Sequence, residues 1–147
     1  MADFVIGINC KLYRNTGSYG SPTWTVINEV QDCRLVVNIG EADVTTRGGN
    51  GWEQMAAVLK SASIEFGLLN VPGSANFTAI RTAAINLTPI ELLVLDGAYN
   101  VAGSQGLRAE CGIFNFSRNE ELKSATRYEV TAKPTYSVNA PSWFVAT

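Results

Sequence analysis

The chain has no histidine. That removes the commonest general base near neutral pH, every histidine-based nucleophilic triad, and most zinc and transition-metal sites. No charge of one sign dominates: 11 Lys and Arg stand against 13 Asp and Glu, for a formal net charge of −2. A domain with that balance has no overall basic field to attract nucleic acid. No apolar run approaches the ~20 residues that a spanning helix needs. The start, MADFVIGINCKLYR, has neither a basic n-region nor an A-x-A-like site, so no signal peptide is expected. The three cysteines, Cys10, Cys33 and Cys111, are odd in number and show no CxxC spacing. They read as buried, reduced thiols of a cytoplasmic product. RGGNGW at 47–52 lacks the Lys-Ser/Thr of a phosphate loop, and no GxGxxG opens a helix. The adjacent carboxylates Glu120 and Glu121 sit in a turn and read as solvated charges, not as an acid/base pair. Cys111 has no visible activator. No catalytic, metal or cofactor site is expected.

What is present is a turn-rich β pattern. The 147 residues, 46% hydrophobic with 13 glycines, suit a single domain over 1–147. FVIGINCKLYR (4–14) and TWTVINEV (23–30) read as strands joined by a flexible loop. In 33–44, Leu35, Val37 and Ile39 alternate with Arg34, Val36 and Asn38, the period of two of a half-buried strand. In 61–69, Ile64, Phe66 and Leu68 alternate with Ser63, Glu65 and Gly67. Strands are also expected over 91–96, over 107–116, and in the segment beginning TRYEVTAK. The last of these puts Tyr128, Val130 and Ala132 opposite Arg127, Glu129, Thr131 and Lys133. One helix, about 75–86, has Ser74 as its N-cap, Phe77, Ile80, Ala83, Ala84 and Leu87 as its apolar stripe, and Pro89 just beyond. The fold class is mainly β: a two-sheet sandwich or squat barrel with one flanking helix and a long loop at about 45–57.

Two features stand out. Arg34, Glu65, Arg108, Glu110, Arg127, Glu129 and Lys133 alternate in sign across the polar strand faces. They make either an ordinary solvated sheet face or the lining of a wet channel. A lining of mixed charge does not grip a passing polyanion, whereas a basic one binds each phosphate. The second feature is the loop in DVTTRGGNGWEQMAAVL (43–59). Hairpin loops usually take two to five residues. This one is longer, glycine-rich, and holds Trp52, Met55 and Leu59.

The run INEVQDCRLVVNIGEADVTTRGGNGWEQMAAVLKSASIEFGLLN resembles the tail tube (major tail) proteins of long-tailed bacteriophages. So do the helix SANFTAIRTAAIN, the LDG turn at 95–97 and the ending YEVTAKPTYSVNAPSWF. The likeness spans nearly the whole chain, and its motifs are diffuse. The resemblance implies a β-sandwich or barrel with one flanking helix. It implies six copies to a ring, one sheet of each joining a continuous barrel around a channel, and rings stacked into a tube for genome delivery. Its partners would be other copies of itself, other tail proteins at the tube ends and, in contractile tails, a sheath. Genomic DNA would pass through the lumen unbound, and the protein would belong to the virion tail, assembled in the bacterial cytoplasm.

On this reading the loop Arg47, Gly48, Gly49, Asn50, Gly51, Trp52, Glu53, Gln54 and Met55 is an inter-subunit arm, mobile before docking over 47–57. Trp52, Met55 and Leu59 also fit helical spacing, so its second half can instead be a short packed helix. The expected lumen face is Arg34, Asn38, Ser63, Glu65, Arg108, Glu110, Arg127, Glu129, Thr131 and Lys133. Its apolar alternates Leu35, Val37, Ile64, Phe66 and Val130 would face the core. The competing readings are a tail-terminator or joining-ring protein, the inner tube of a contractile secretion machine, and a lectin-like sandwich stacking ligands on Trp24, Trp52 or Trp143.

Overall fold

The computed structural model describes residues 4–147. Among them the strands are β1 (Lys11–Asn15), β2 (Trp24–Val26), β3 (Val30–Asp43), β4 (Met55–Leu69), β5 (Ile90–Leu95), β6 (Gln105–Asn119), β7 (Arg127–Pro134) and β8 (Ser142–Val145). One α-helix, α1 (Ala75–Ile85), lies between β4 and β5. The mainly-β class with a single helix is as expected. The layering is one continuous antiparallel sheet, ordered β2-β1-β5-β6-β7-β4-β3, with β8 paired to β6.

The sheet is held together by β6. Its first half lies between β5, over 106–111, and β8, over 105–108, while β7 continues along β8's edge from 111 to 119. A bulge near Phe114 separates the two pairing registers and bends the strand. The curl brings both ends of the sheet onto one core. Leu12 of β1 and Ile27 join Ile64, Phe66, Leu68, Leu92, Cys111, Val130 and Ala132, and Val30 and Leu35 of β3 pack against them. The sheet thus approaches the barrel alternative more than two separate layers. A cavity of about 530 Å³ runs along the seam between the ends, lined in part by Leu12, Ile27, Cys33, Leu35 and Trp143.

The helix closes the core. Phe77 and Ile80 are buried, and the Phe77 ring centroid lies 5.2 Å from that of Tyr128, which stacks on Phe116 at 4.6 Å. Burying a side chain of this size stabilises by roughly 1.5–3 kcal/mol. Ser74 occupies the N-cap position but does not cap. Its hydroxyl donates to Glu29 Oε1 at 2.5 Å instead. The buried Asn76 Oδ1 accepts from Arg14 Nε at 2.6 Å, and its Nδ2 donates to the Val26 carbonyl and to Glu29 Oε2. This network pins the helix start to β1 and to the chain leaving β2. Leu87 leaves the expected stripe: it is exposed, with a left-handed φ of 56° just past the helix end.

Several boundaries differ from the sequence reading. Residues 7–9 form a 3-10 turn, so the first strand starts at Lys11, and the second shrinks to Trp24–Val26. Strand β4 starts at Met55 instead of 61. Strand β6 runs to Asn119, three residues past the expected end at 116. Cys10 and Cys33 are exposed, and only Cys111 is buried. Burial pushes the Cys111 thiol up to about 12, which keeps it protonated and unreactive at neutral pH. No helix among the described residues is long and apolar enough to cross a membrane.

Candidate assembly surface

The four strands nominated for one polar face are neighbours, in the order β6-β7-β4-β3. Register places their polar residues together. Arg34 is opposite Glu65, and Glu65 is opposite Thr131, which is opposite Asn115. Glu129 lies between Gly67 and Ser117, and Asn38 is opposite Ser61. Ser63 and Lys133 continue the same alternation. Arg34 Nη1 reaches Glu65 Oε2 at 3.6 Å, and Arg127 pairs with Glu129 along β7. Both pairs are solvent-exposed and contribute little to stability. They do set the character of the face: cations and carboxylates interleave, and no basic track forms.

Arg108 and Glu110 depart from this picture. By register they share the face, but they lie on the half covered by other parts of the chain. Arg108 forms an ion pair with Glu91, with side-chain exposures of 14% and 8%. The loop after β1 covers it: its Nη2 donates to the Tyr19 carbonyl at 2.7 Å, and its guanidinium lies 3.9 Å from the Tyr19 ring centroid. Glu110 accepts from Ser137 Oγ and from Asn139 Nδ2. A second apolar cluster, Tyr13, Leu93 and Leu95 with Trp24, Val26 and Phe144, fills this half of the face. The open polar surface is therefore confined to β3, β4, β7 and the far half of β6.

The β3–β4 hairpin extends beyond the core. Leu35 and Ile64 still pack inward, but Val37, expected in the core, is 46% exposed, and Ile39 beyond it is also exposed. The helix and the other end of the sheet no longer reach them. Past a bulge at Val58 and Leu59 the strands re-pair as Glu41–Ala57, Ala42–Ala56 and Asp43–Met55. The bulge breaks the period-two pattern of 55–60 and hides this half of the strand from sequence reading. Trp52 is 75% and Leu59 81% exposed, with Met55 and Val58 beside them. Four exposed apolar side chains are thus carried on one projecting hairpin.

The hairpin tip is ordered by its own hydrogen bonds. Val44 N–H donates to the Gln54 carbonyl, and Gln54 N–H to Thr45 Oγ1, both at 2.9 Å. Thr45 N–H donates to Asp43 Oδ1 at 2.9 Å. Hydrogen bonds from the Thr45 hydroxyl and backbone N–H hold the Asp43 carboxyl below its usual range. Arg47–Gly49 form a 3-10 turn, and Gly49 packs against the Gln54 side chain. The expectations for 47–57 are revised accordingly. Met55, Ala56 and Ala57 belong to β4, so no short helix forms there, and hydrogen bonds between Val44, Thr45 and Gln54 close the base of the loop.

No family model and no curated protein matches the chain. Solved structures do share its fold. The chain is similar to a subunit of the tail of an empty gene transfer agent particle, refined with helical and C6 symmetry. The TM-score is 0.72 at 18% identity, over 95% of this chain and 98% of that one. A chain of the native gene transfer agent virion matches with a TM-score of 0.68 at 16% identity, over 95% and 98%. A chain of the SPP1 tail tube matches with a TM-score of 0.70 at 15% identity, over 88% of this chain and 74% of that one. At these identities the likeness establishes the fold, over 88% to 95% of this chain.

Proposed function

We propose that this chain is a tail tube subunit, polymerising as stacked six-membered rings around a channel through which a genome is delivered. The observation that carries the reading is the match of almost the whole of both chains to a subunit of a C6 helical tail. The polar strip on β3, β4, β7 and the far half of β6 fits a channel lining, with Arg34, Asn38, Ser63, Glu65, Arg127, Glu129, Thr131 and Lys133 facing inward. Interleaved charge lets nucleic acid slide past without being held. Arg108 and Glu110 are left out of the lining because their polar groups are engaged within the subunit.

Strand β3 ends the sheet path, so its outer edge has no partner among the described strands. Pairing of that edge with a neighbouring subunit would satisfy its backbone groups and close a barrel. The projecting hairpin, through Trp52, Met55, Val58 and Leu59, would then seat on an adjoining subunit. The role is structural, the place is the virion tail, and the further partners are tail proteins at the tube ends. Negative-stain microscopy of the purified chain tests the reading. Long hollow tubes are expected. Single closed rings would favour a terminator, and a stable monomer at high concentration would overturn the proposal. Deleting Gly48–Gln54 should leave a folded, soluble chain that forms no tubes.

A further inference from the structure

Asn50 and Gly51 are the only Asn-Gly pair in the sequence. They form the centre of the hairpin tip. Asn50 has φ 55° and ψ 37°, Gly51 has φ 85°, and Trp52 N–H donates to the Gly49 carbonyl at 3.1 Å. Positive φ at both central residues is the type I′ turn that Asn-Gly favours. Both residues are exposed, and an added Cβ at Gly51 would meet nothing within 4 Å. The backbone nitrogen of Gly51 carries no hindrance from a side chain of its own residue.

An asparagine carboxamide is a thermolabile group, and the nitrogen that can attack it belongs to the next residue. We propose that Asn50 is a spontaneous deamidation site whose rate is gated by opening of the hairpin tip. Gly51 N attacks Asn50 Cγ and forms a new N–C bond. The Cγ–Nδ2 bond breaks, and ammonia leaves with the proton from Gly51 N. Water then opens the resulting five-membered imide at either carbonyl. One opening gives aspartate, and the other gives isoaspartate, with the chain continuing through the former side chain. Water is consumed and ammonia released, with no oxidant or reductant.

The turn supplies the gate. Ring closure needs Gly51 N swung towards Asn50 Cβ about the Cα–C bond. At a ψ of 37° it points away. The Trp52-to-Gly49 hydrogen bond must open before the ring can close. Isoaspartate adds a backbone carbon to a turn that closes over only two central residues. Either product also places a carboxylate on the same hairpin end as Asp43 and Glu53. If the hairpin seats on a neighbouring subunit, which rests on the tail tube reading, assembly holds the turn shut. Deamidation then ages only subunits that have not assembled.

The test is peptide-mapping mass spectrometry, with enzymatic methylation to mark isoaspartate, on the purified chain incubated warm at mildly alkaline pH. Conversion is expected at position 50 ahead of every other asparagine, several-fold faster in denaturant, and absent in Asn50→Gly, which keeps a turn-compatible residue. Conversion elsewhere with Asn50 intact would overturn the site, and equal rates in the folded and denatured chain would overturn the gate. Aged wild-type protein is expected to lose tube formation while aged N50G keeps it. Undiminished assembly of fully converted protein would overturn the tip's part in docking. Failure of fresh protein to form tubes would count against the tail tube reading alone, because conversion is read on the same sample.

Discussion

Arg108 and Glu91 lie diagonally on neighbouring strands and pair almost out of reach of water. The arginine is enclosed further by Tyr19, at 3.9 Å from the ring centroid, and by Trp24, at 5.0 Å. Asn15 Nδ2 also donates to Glu91, at 2.9 Å. Removing the cation leaves a carboxylate desolvated without its partner. Arg108→Ala is expected to cost about 3 kcal/mol. The measurement is the urea midpoint, with the slope unchanged. A shift as small as that of an exposed pair, such as Arg34→Ala, would show that Glu91 regains water.

Gly106 admits no side chain. A Cβ there would lie 1.5 Å from the Val94 carbonyl oxygen, which belongs to the backbone of the adjacent strand. Gly106→Ala therefore has to part β5 from β6, and a loss of at least ~3 kcal/mol is expected. Insoluble expression, or a collapsed melting transition, is the readout. By contrast, Gly73→Ala, where an added Cβ meets nothing within 4 Å, should be nearly silent.

The helix anchor makes stability depend on acid. The Ser74 hydroxyl, with Asn76 and Arg14 assisting, holds the Glu29 carboxyl below its ordinary value of 4.5. A depressed carboxylate favours the folded state once both states are ionised, so its contribution is complete above about 4.5. It is lost as pH falls through the lower folded value. Ser74→Ala should therefore flatten the acid limb of a stability-against-pH curve and leave the shape above pH 5 or so unchanged. An acid limb identical to wild type would remove Glu29 from the account.

Leu87 supplies a gain. It sits at φ 56°, just beyond the helix, while Thr88 N–H reaches back to the Ala83 carbonyl at 3.2 Å. This is the helix-ending geometry in which glycine is usual. The side chain is exposed, so little packing is lost by removing it. Leu87→Gly is expected to stabilise the isolated chain by about 0.5–1 kcal/mol, read as a rise in melting temperature. A fall would mean that Leu87 packs more than its exposure suggests.

The strands that were legible in the sequence are those with one wet and one dry face. Ile64, Phe66 and Leu68, Leu107, Ala109 and Cys111, and Tyr128, Val130 and Ala132 all sit in the core as their alternation requires. The helix was legible from its apolar spacing. Illegible were the places where one segment is used by another far along the chain. Ser74 has a residue type suited to capping, yet its hydroxyl is turned to donate to the Glu29 carboxylate, and its oxygen accepts from no N–H of the first helical turn. Arg108 alternates like a solvent-facing charge, and Tyr19 and Trp24, both distant along the chain, cover it. Met55–Lys60 is a strand with neither face on the core, so burial imposed no period on it. The polar set Arg34, Glu65, Glu129 and Thr131 was readable as residues on one face, but the strand order that joins them was not.

The order of the sheet also dictates the order in which the chain can fold. The β3–β4 hairpin joins neighbouring segments and can zip as soon as Leu69 is available. Strand β1 cannot do so on its long side: Lys11 waits for Leu95, and Arg14 for Leu92. β4 likewise waits for β7, Ile64 pairing with Ala132. Pairings so remote in sequence are slow to close, and they leave apolar edges uncovered meanwhile. During synthesis every residue of the projecting hairpin therefore emerges well before the core beneath it can close, and Phe66 and Leu68 at its base stay uncovered through that interval.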